Sequence, residues 1–379
     1  KKSNGKISVG FYFDNPQEAH SAHKLFAGIL RSFAKEGIEV WAITSPKSTR
    51  VQEKYLISIA SNSLKLSRNI SLSVNQIRSL GLDVLIYTEQ QSSYYPYILS
   101  LSRLASVQVA TWGNPVTSGS DVIDYYLSSL LIEPATGIDQ YRERLVRINK
   151  LPSVYKAPNL DAIQVDRAKF RLPLDQVLIG ISQSLFKFHP DYDEVLEKII
   201  SRLPDAKYVL IEGKNKPMIN RLKSRWAAKA PKTLKNSIFL PRMTQQDHLC
   251  LFETVDILLD PIYFGSGNTF YEAMAIGTPL VTMPGAYMRG RIVAGGYKQM
   301  KLDNAPVAKN IDEYIEITVR LAEDANLRRS LKQQIKTSAQ THLFDDQEAA
   351  DEIIEFIHAA VDCRCKTGGI LPVGWIPSK

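Results

Sequence analysis

VDILLDPIYFGSGNTFYEAMAIGTPLVTMPG, residues 255 to 285, reads as strand, glycine-rich turn, helix and second buried strand. Val255 to Leu259 is a short apolar run closed by Asp260-Pro261, and Gly265-Ser266-Gly267 permits a tight turn before a helix starting near Asn268. The first amides of that helix have no intrahelical partner and point toward an anion. Gly267, Asn268 and Thr269 are therefore candidate diphosphate contacts, and Glu272, one turn in, is a candidate acceptor for ribose hydroxyls. Gly277-Thr278-Pro279 ends the helix and Leu280-Val281-Thr282 re-enters the sheet. No Gly-Lys-Ser/Thr follows the turn and no Gly-x-Gly-x-x-Gly is present in it, so neither a Walker loop nor a dinucleotide fingerprint is read here. The plainer alternative is an ordinary strand-turn-helix of any α/β sheet.

The surrounding chain extends the pattern. Val177 to Ser182, Tyr208 to Glu212 and Ile238 to Leu240 read as strands, alternating with helices over 192–203, 218–229 and 246–253. The first half opens with the apolar run Ile7 to Phe13, a helical pattern over 17–35 and the run Ile38 to Ile43. Strands at Asp83 to Tyr87 and Val107 to Trp112 flank a helix over 95–104. Two Rossmann-like parallel sheets in tandem follow, with ligands expected outside the carboxyl ends of the strands. Residues 151–173, with prolines at 152, 158 and 173, mark the boundary. The expected domains are 1–160, 161–345, and a 346–379 segment in which a helix over 347–361 crosses back onto the first domain before a Gly- and Pro-rich tail.

Composition narrows the function. The 379 residues are 44% hydrophobic without a run of about 18 apolar residues, which fits a globular chain with no transmembrane segment. A net charge of +8 raises the question of nucleic acid, but the basic residues are scattered over predicted helix faces, as in Arg221 to Lys229, so no nucleic-acid partner is expected. Positive potential also suits a diphosphate substrate. Cys250, Cys363 and Cys365 form neither a disulfide framework nor a metal-ligand set, and a cytoplasmic location is expected. The chain opens Lys-Lys-Ser-Asn-Gly, which fits an excerpt of a longer polypeptide with a further N-terminal domain.

Glu-Ala-Met-Ala-Ile-Gly-Thr-Pro, residues 272–279, resembles the C-terminal-domain signature of two-domain GT-B glycosyltransferases. Many retaining members carry a second Glu eight positions earlier, where this chain has Phe264, and that difference favours an inverting enzyme. Further runs are similar to the catalytic region of the O-linked N-acetylglucosamine transferase family, which includes SPINDLY-like members and bacterial N-glucosyltransferases. They are Gln183-Ser-Leu-Phe-Lys187-Phe-His-Pro190, Pro241-Arg-Met243-Thr-Gln-Gln-Asp-His248, Gly267-Asn268-Thr269, Met283-Pro-Gly through Arg291, and Thr111-Trp-Gly-Asn-Pro115-Val-Thr-Ser-Gly119. Val9-Gly-Phe-Tyr-Phe-Asp14, continuing to His20-Ser-Ala-His23, resembles the family's N-terminal run.

The resemblance implies a GT-B fold with two Rossmann-like domains facing a central cleft. It assigns Lys187 to the donor diphosphate, a role that a lysine in a strand-end loop also suits physically. Gln183, Met243, Gln245 and His248 become donor-binding residues, and the 115–119 loop belongs to the acceptor side. His20 and His23 share one histidine assignment near the reacting centre, with Asp14 as a further candidate base. A second family histidine falls on Asp83, which removes or replaces one polar contact. The expected activity is inverting, metal-independent transfer of a hexose or N-acetylhexosamine from a UDP-sugar to a protein Ser or Thr, or otherwise Asn. No cofactor and no metal site are expected; Asp191-x-Asp193 reads as acidic residues of a first helical turn. Transfer to a saccharide or lipid acceptor, and nucleotide-sugar binding without turnover, stay open as alternatives.

Overall fold

The computed structural model describes residues 6–378, so the opening Lys-Lys-Ser-Asn-Gly run lies outside them. The chain forms two compact units: residues up to Lys156 together with Asp345 onward, and Ala157–Phe344.

The first unit begins with β1 (Ser8–Phe13), α1 (Ser21–Lys35), β2 (Glu39–Thr44), α2 (Arg50–Ile59), β3 (Asn62–Lys65), α3 (Ile70–Ser79) and β4 (Val84–Tyr87). It continues through α4 (Tyr94–Leu99), β5 (Val107–Thr111), β6 (Tyr125–Ser129) and β7 (Arg144–Ile148). The sheet is parallel in the order β3-β2-β1-β4-β5-β6-β7. Every residue of β1, β4, β5 and β6 is buried, as parallel strands covered on both faces must be. The strand order reverses between β1 and β4, where doubly wound sheets bind ligands.

The second unit runs β8 (Leu178–Ile181), α5 (Pro190–Arg202), β9 (Lys207–Ile211), α6 (Lys216–Lys229), α7 (Pro231–Lys235), β10 (Ser237–Leu240) and α8 (Gln245–Thr254). Then come β11 (Ile257–Leu259), α9 (Asn268–Ile276), β12 (Leu280–Val281), α10 (Ile292–Gln299), α11 (Ile311–Glu323) and α12 (Ala325–His342). Its parallel sheet has the order β10-β9-β8-β11-β12, with the reversal between β8 and β11. α9 stops where Gly277 takes a left-handed φ of 84°, which a side chain would strain.

The chain then returns to the first unit as α13 (Gln347–Thr367), packed against α1, β5 and β7. Glu352 on this helix accepts from the Asn149 backbone N–H at 2.6 Å, and Phe356 stacks edge-on against Tyr125. No helix among the described residues is long and apolar enough to cross a membrane.

Several sequence expectations need correction. The helix expected over 17–35 begins only at Ser21, which makes His20 its N-cap residue. The helix expected over 95–104 ends at Leu99, and that over 347–361 continues to Thr367 before Gly368 turns left-handed. Asp83 precedes β4 at the amino end of the sheet, where its Oδ2 accepts from Ser8 N at 2.9 Å and from Ser8 Oγ at 3.2 Å. It ties β1 to β4 at the edge opposite to the strand ends that bind ligands, so it does not stand in for a site histidine.

Candidate active site

In the second unit the loops after β8 and β11 converge at the switch point. Asp260, immediately after β11, is buried and accepts from Ser266 N at 2.6 Å, Ser266 Oγ at 2.8 Å and Thr282 Oγ1 at 2.8 Å. Those bonds lock the glycine turn. A Cβ on Gly265 would collide with the Asp260 carboxylate, so the turn requires glycine there. Ser266 Oγ also accepts from Gln183 Nε2 at 2.8 Å, and Gln183 Oε1 accepts from Lys187 Nζ at 2.8 Å. Lys187 Nζ additionally donates to Gly265 O at 2.7 Å and lies 4.3 Å from the centre of the Phe264 ring.

Lys187 is thus held by neutral acceptors and an aromatic face, with the Asp260 carboxylate farther along the chain of bonds. Burial pulls its pKa down to about 8, offset in part by Asp260. The ammonium is poorly compensated, a state that an incoming anion would relieve. Beside it, α9 starts at Asn268 with no side-chain cap and no acidic residue in its first turn. Its leading amides and dipole add positive potential at the same place.

Glu272 is buried in α9, with Oε2 3.5 Å from His248 Nδ1 on α8. His248 in turn packs on Phe252 at 4.3 Å between ring centres. Thr244 caps α8 by accepting from Asp247 N, leaving Gln245 exposed in the first turn and Met243 partly buried in the preceding loop. The structure therefore brings Gln183, Lys187, Gly267, Asn268 and Thr269 together, and places Glu272 beside His248. Asp191 and Asp193 lie in the first turn of α5, and Asp193 is engaged by Arg225 and Trp226. Arg291 donates to Gly285 O at 2.9 Å within its own loop.

In the first unit, Asp14 just past β1 accepts from Tyr12 Oη at 3.0 Å and Ser92 Oγ at 3.3 Å. His23 is buried on α1, its Nδ1 2.9 Å from Pro16 O and its ring between Phe13 and Tyr55. His20 is about one-third exposed, and its Nδ1 lies 3.7 Å from Glu89 Oε2. Glu89, just past β4, is a residue that the sequence reading did not single out. It is buried, accepts from Asn15 N at 3.0 Å, and burial lifts its pKa to about 7. The loop at 115–119 is pinned by Glu143, which accepts from Thr117 Oγ1 at 2.6 Å and Ser118 N at 2.5 Å. No motif flags Glu89 or Glu143; for Glu89 the available signal was a carboxylate following an apolar strand.

Residues 148–353 match the model described as Glycosyl transferase family 41. The chain is 27% identical over 273 residues to a probable UDP-N-acetylglucosamine--peptide N-acetylglucosaminyltransferase SPINDLY of Solanum lycopersicum, covering 70% of this chain and 29% of that protein. It is 26% identical over 242 residues to a UDP-glucose:protein N-beta-glucosyltransferase of Actinobacillus pleuropneumoniae, covering 62% of this chain and 37% of that one. The chain therefore spans about a third of the length of these relatives. A solved structure of a lysine-to-methionine mutant of the Thermobaculum terrenum O-GlcNAc transferase superposes with a TM-score of 0.82 at 20% identity, covering 96% of this chain and 69% of that one. HepE of Anabaena in complex with UDP gives a TM-score of 0.58 at 13% identity, covering 93% of this chain and 100% of that one. Likeness at these identities shows the fold, which is of the GT-B type.

Proposed function

Because this chain belongs to glycosyl transferase family 41, we propose that it moves a hexose or N-acetylhexosamine from a UDP-sugar to a protein side chain, Ser or Thr and otherwise Asn, with inversion. The observation that carries this reading is Lys187, a partly buried ammonium that burial brings down to about 8, set beside the uncapped start of α9. That is a site for a leaving diphosphate.

In the proposed step the acceptor oxygen or nitrogen attacks the anomeric carbon while the bond from that carbon to the β-phosphate oxygen breaks. The electron pair leaves with UDP, and the acceptor proton passes to a base. Lys187 and the amides of Asn268 and Thr269 meet the charge that develops on the departing oxygen. These protein cations and dipoles supply the stabilisation without a metal or other cofactor. Phe264, in place of the carboxylate of many retaining members, supports inversion. Gln183 fixes Lys187, Glu272 is assigned to the ribose hydroxyls, and Met243, Gln245 and His248 to the uracil and adjoining sugar. His20 and Asp14 are the groups proposed for the acceptor, whereas His23, whose Nδ1 engages Pro16 O, is proposed to support the fold. The three free cysteines support action in a reducing, cytoplasmic compartment.

Mass spectrometry of products after incubation with a panel of UDP-sugars, peptides, saccharides and lipids tests the proposal. Sugar on peptide side chains is the expected result. Sugar found only on saccharides or lipids overturns the acceptor assignment, and unconsumed donor with every acceptor overturns transfer itself.

A further inference from the structure

We propose that Glu89 is the positioning residue of an acid-base pair with His20: its carboxylate takes the Nδ1–H of the imidazole, leaving Nε2 as the proton acceptor. This inference rests on the glycosyl-transfer reading and adds to it a residue that the family motifs do not include.

The geometry carries it. β1 and β4 flank the point at which the first sheet reverses its strand order, and His20 follows one of them and Glu89 the other. His20 occupies the N-cap position of α1 but makes no side-chain cap bond. Its Nδ1 is buried without a hydrogen-bond partner, and the nearest acid is Glu89 Oε2 at 3.7 Å. A buried donor left unmet is costly, so a partner within a sub-ångström shift of bonding distance is the natural resolution. Resting sites often hold catalytic hydrogen bonds slightly long until substrate tightens them. The other carboxylate oxygen, Oε1, is anchored by Asn15 N at 3.0 Å, which fixes the direction in which Oε2 points.

The electrostatics support the same arrangement. Burial lowers the pKa of His20, with Asp14 raising it and Lys24 lowering it. Burial raises Glu89 to about 7, with the backbone N–H groups of Asn15 and Asp14 opposing and the Asp14 charge reinforcing. Tyr12 and Ser92 donate to Asp14 on the same side, while His23 is committed to Pro16 O. As Glu89 ionises near neutral pH, its carboxylate comes to face the His20 Nδ1. With Glu89 ionised, the acceptor hydroxyl gives its proton to His20 Nε2 as its oxygen bonds to the anomeric carbon and UDP departs. The resulting imidazolium then sits beside the Glu89 carboxylate.

The test uses Glu89→Gln and Glu89→Asp in the full chain. With ¹⁵N-labelled histidine and no sugar donor present, NMR should show the wild-type His20 protonated on Nδ1 when neutral. Glu89→Gln should shift its titration to lower pH and mix the tautomers, while the His248 and His358 signals stay put. Transfer by the wild type should rise with pH through an apparent pKa near 7. Glu89→Gln should lower kcat on the order of tenfold or more, with little change in donor KM, and lose that inflection. Glu89→Asp should restore part of it. An unmoved His20 titration, or a kcat and pH profile like those of the wild type, overturns the pairing. Because the NMR arm needs no turnover, failure of transfer in the wild-type protein would be recognised separately as failure of the enzymatic reading.

Discussion

In the second sheet Asp260 sits just past β11, buried, with three hydrogen bonds from Ser266 and Thr282. In the first sheet Glu89 sits just past β4, equally buried, with backbone N–H donors from Asn15 and Asp14 and a histidine at 3.7 Å. β11 and β4 hold the same place in their sheets, beside the strand from which the order reverses. Burial raises the pKa of both carboxylates. They differ in how many donors surround them. Asp260 is committed to holding a turn, and the group proposed to meet a ligand is Lys187, three hydrogen bonds away through Ser266 and Gln183. Glu89 retains a proton equilibrium near neutrality because burial lifts its pKa to about 7 against only two backbone donors. One switch point is thereby suited to holding an anion and the other to exchanging a proton.

Removing the ammonium is the strongest way to break this contrast. Lys187→Ala should lower kcat on the order of 10²- to 10³-fold, as expected for losing a donor to developing negative charge. Stability should fall by only about 1 kcal/mol, since Gln183 Oε1 and Gly265 O each lose one donor in a partly solvated site. UDP affinity in the wild type should also decline as pH rises through about 8, where the lysine discharges; below that pH the charge is present and affinity should level off. Calorimetry across pH checks this, and a flat profile that persists above pH 9 would detach Lys187 from the diphosphate.

Substitutions on α1 sharpen the other half. His20→Ala should cost roughly a hundredfold in kcat with donor affinity nearly unchanged, because its proposed role is in proton transfer. His23→Ala should act chiefly on folding, by about 2 kcal/mol, because its ring fills the space between Phe13 and Tyr55 and its Nδ1 engages a backbone carbonyl. If the two variants lost equal turnover at equal stability, the structural separation of these histidines would collapse.

A smaller effect is expected at the ribose. Glu272→Gln should weaken UDP binding by about 1 to 3 kcal/mol and reduce the preference for ribose over 2′-deoxyribose nucleotides. Unchanged discrimination in calorimetry would release Glu272 from that role.

The second unit was the more legible in sequence, and the reason is physical. Its function depends on backbone geometry, and backbone geometry forces residue types: glycine at 265 because Asp260 leaves no room for a Cβ, glycine at 277 because φ is positive. The first unit brings side chains together from loops distant in sequence, as His20 Nδ1 lies 3.7 Å from Glu89 Oε2, and no local pattern announces such a pairing. The same holds for its omitted elements. β3, Asn62–Lys65, has one apolar residue at an alternating position, and β6 joins β7 through a loop whose helical content is a single 3₁₀ turn at Gly137–Gln140 rather than an α-helix. Asp83 lies beside β4 at its amino end, where it bonds Ser8, an arrangement in keeping with the loss of a polar contact rather than its replacement.

The smallest expected effect concerns metal. Where a divalent cation neutralises a leaving diphosphate, chelation removes activity and the cation restores it. Here a lysine, two helix-start amides and a helix dipole are already gathered at one strand end, and the acidic pair nearest in sequence, Asp191 and Asp193, is turned to other work. Asp193 binds Arg225 and Trp226, and Asp191 accepts from Tyr263 Oη at 2.8 Å. EDTA at millimolar concentration should therefore leave the transfer rate within about twofold of the untreated rate, a change too small to count as loss of a catalytic group. The measurement also bears on the comparison between the two sheets. If chelation abolished transfer and Mg²⁺ or Mn²⁺ restored it, the charge met at the second switch point would be the metal's rather than that of Lys187, and the division between an anion-holding and a proton-exchanging sheet would have to be redrawn.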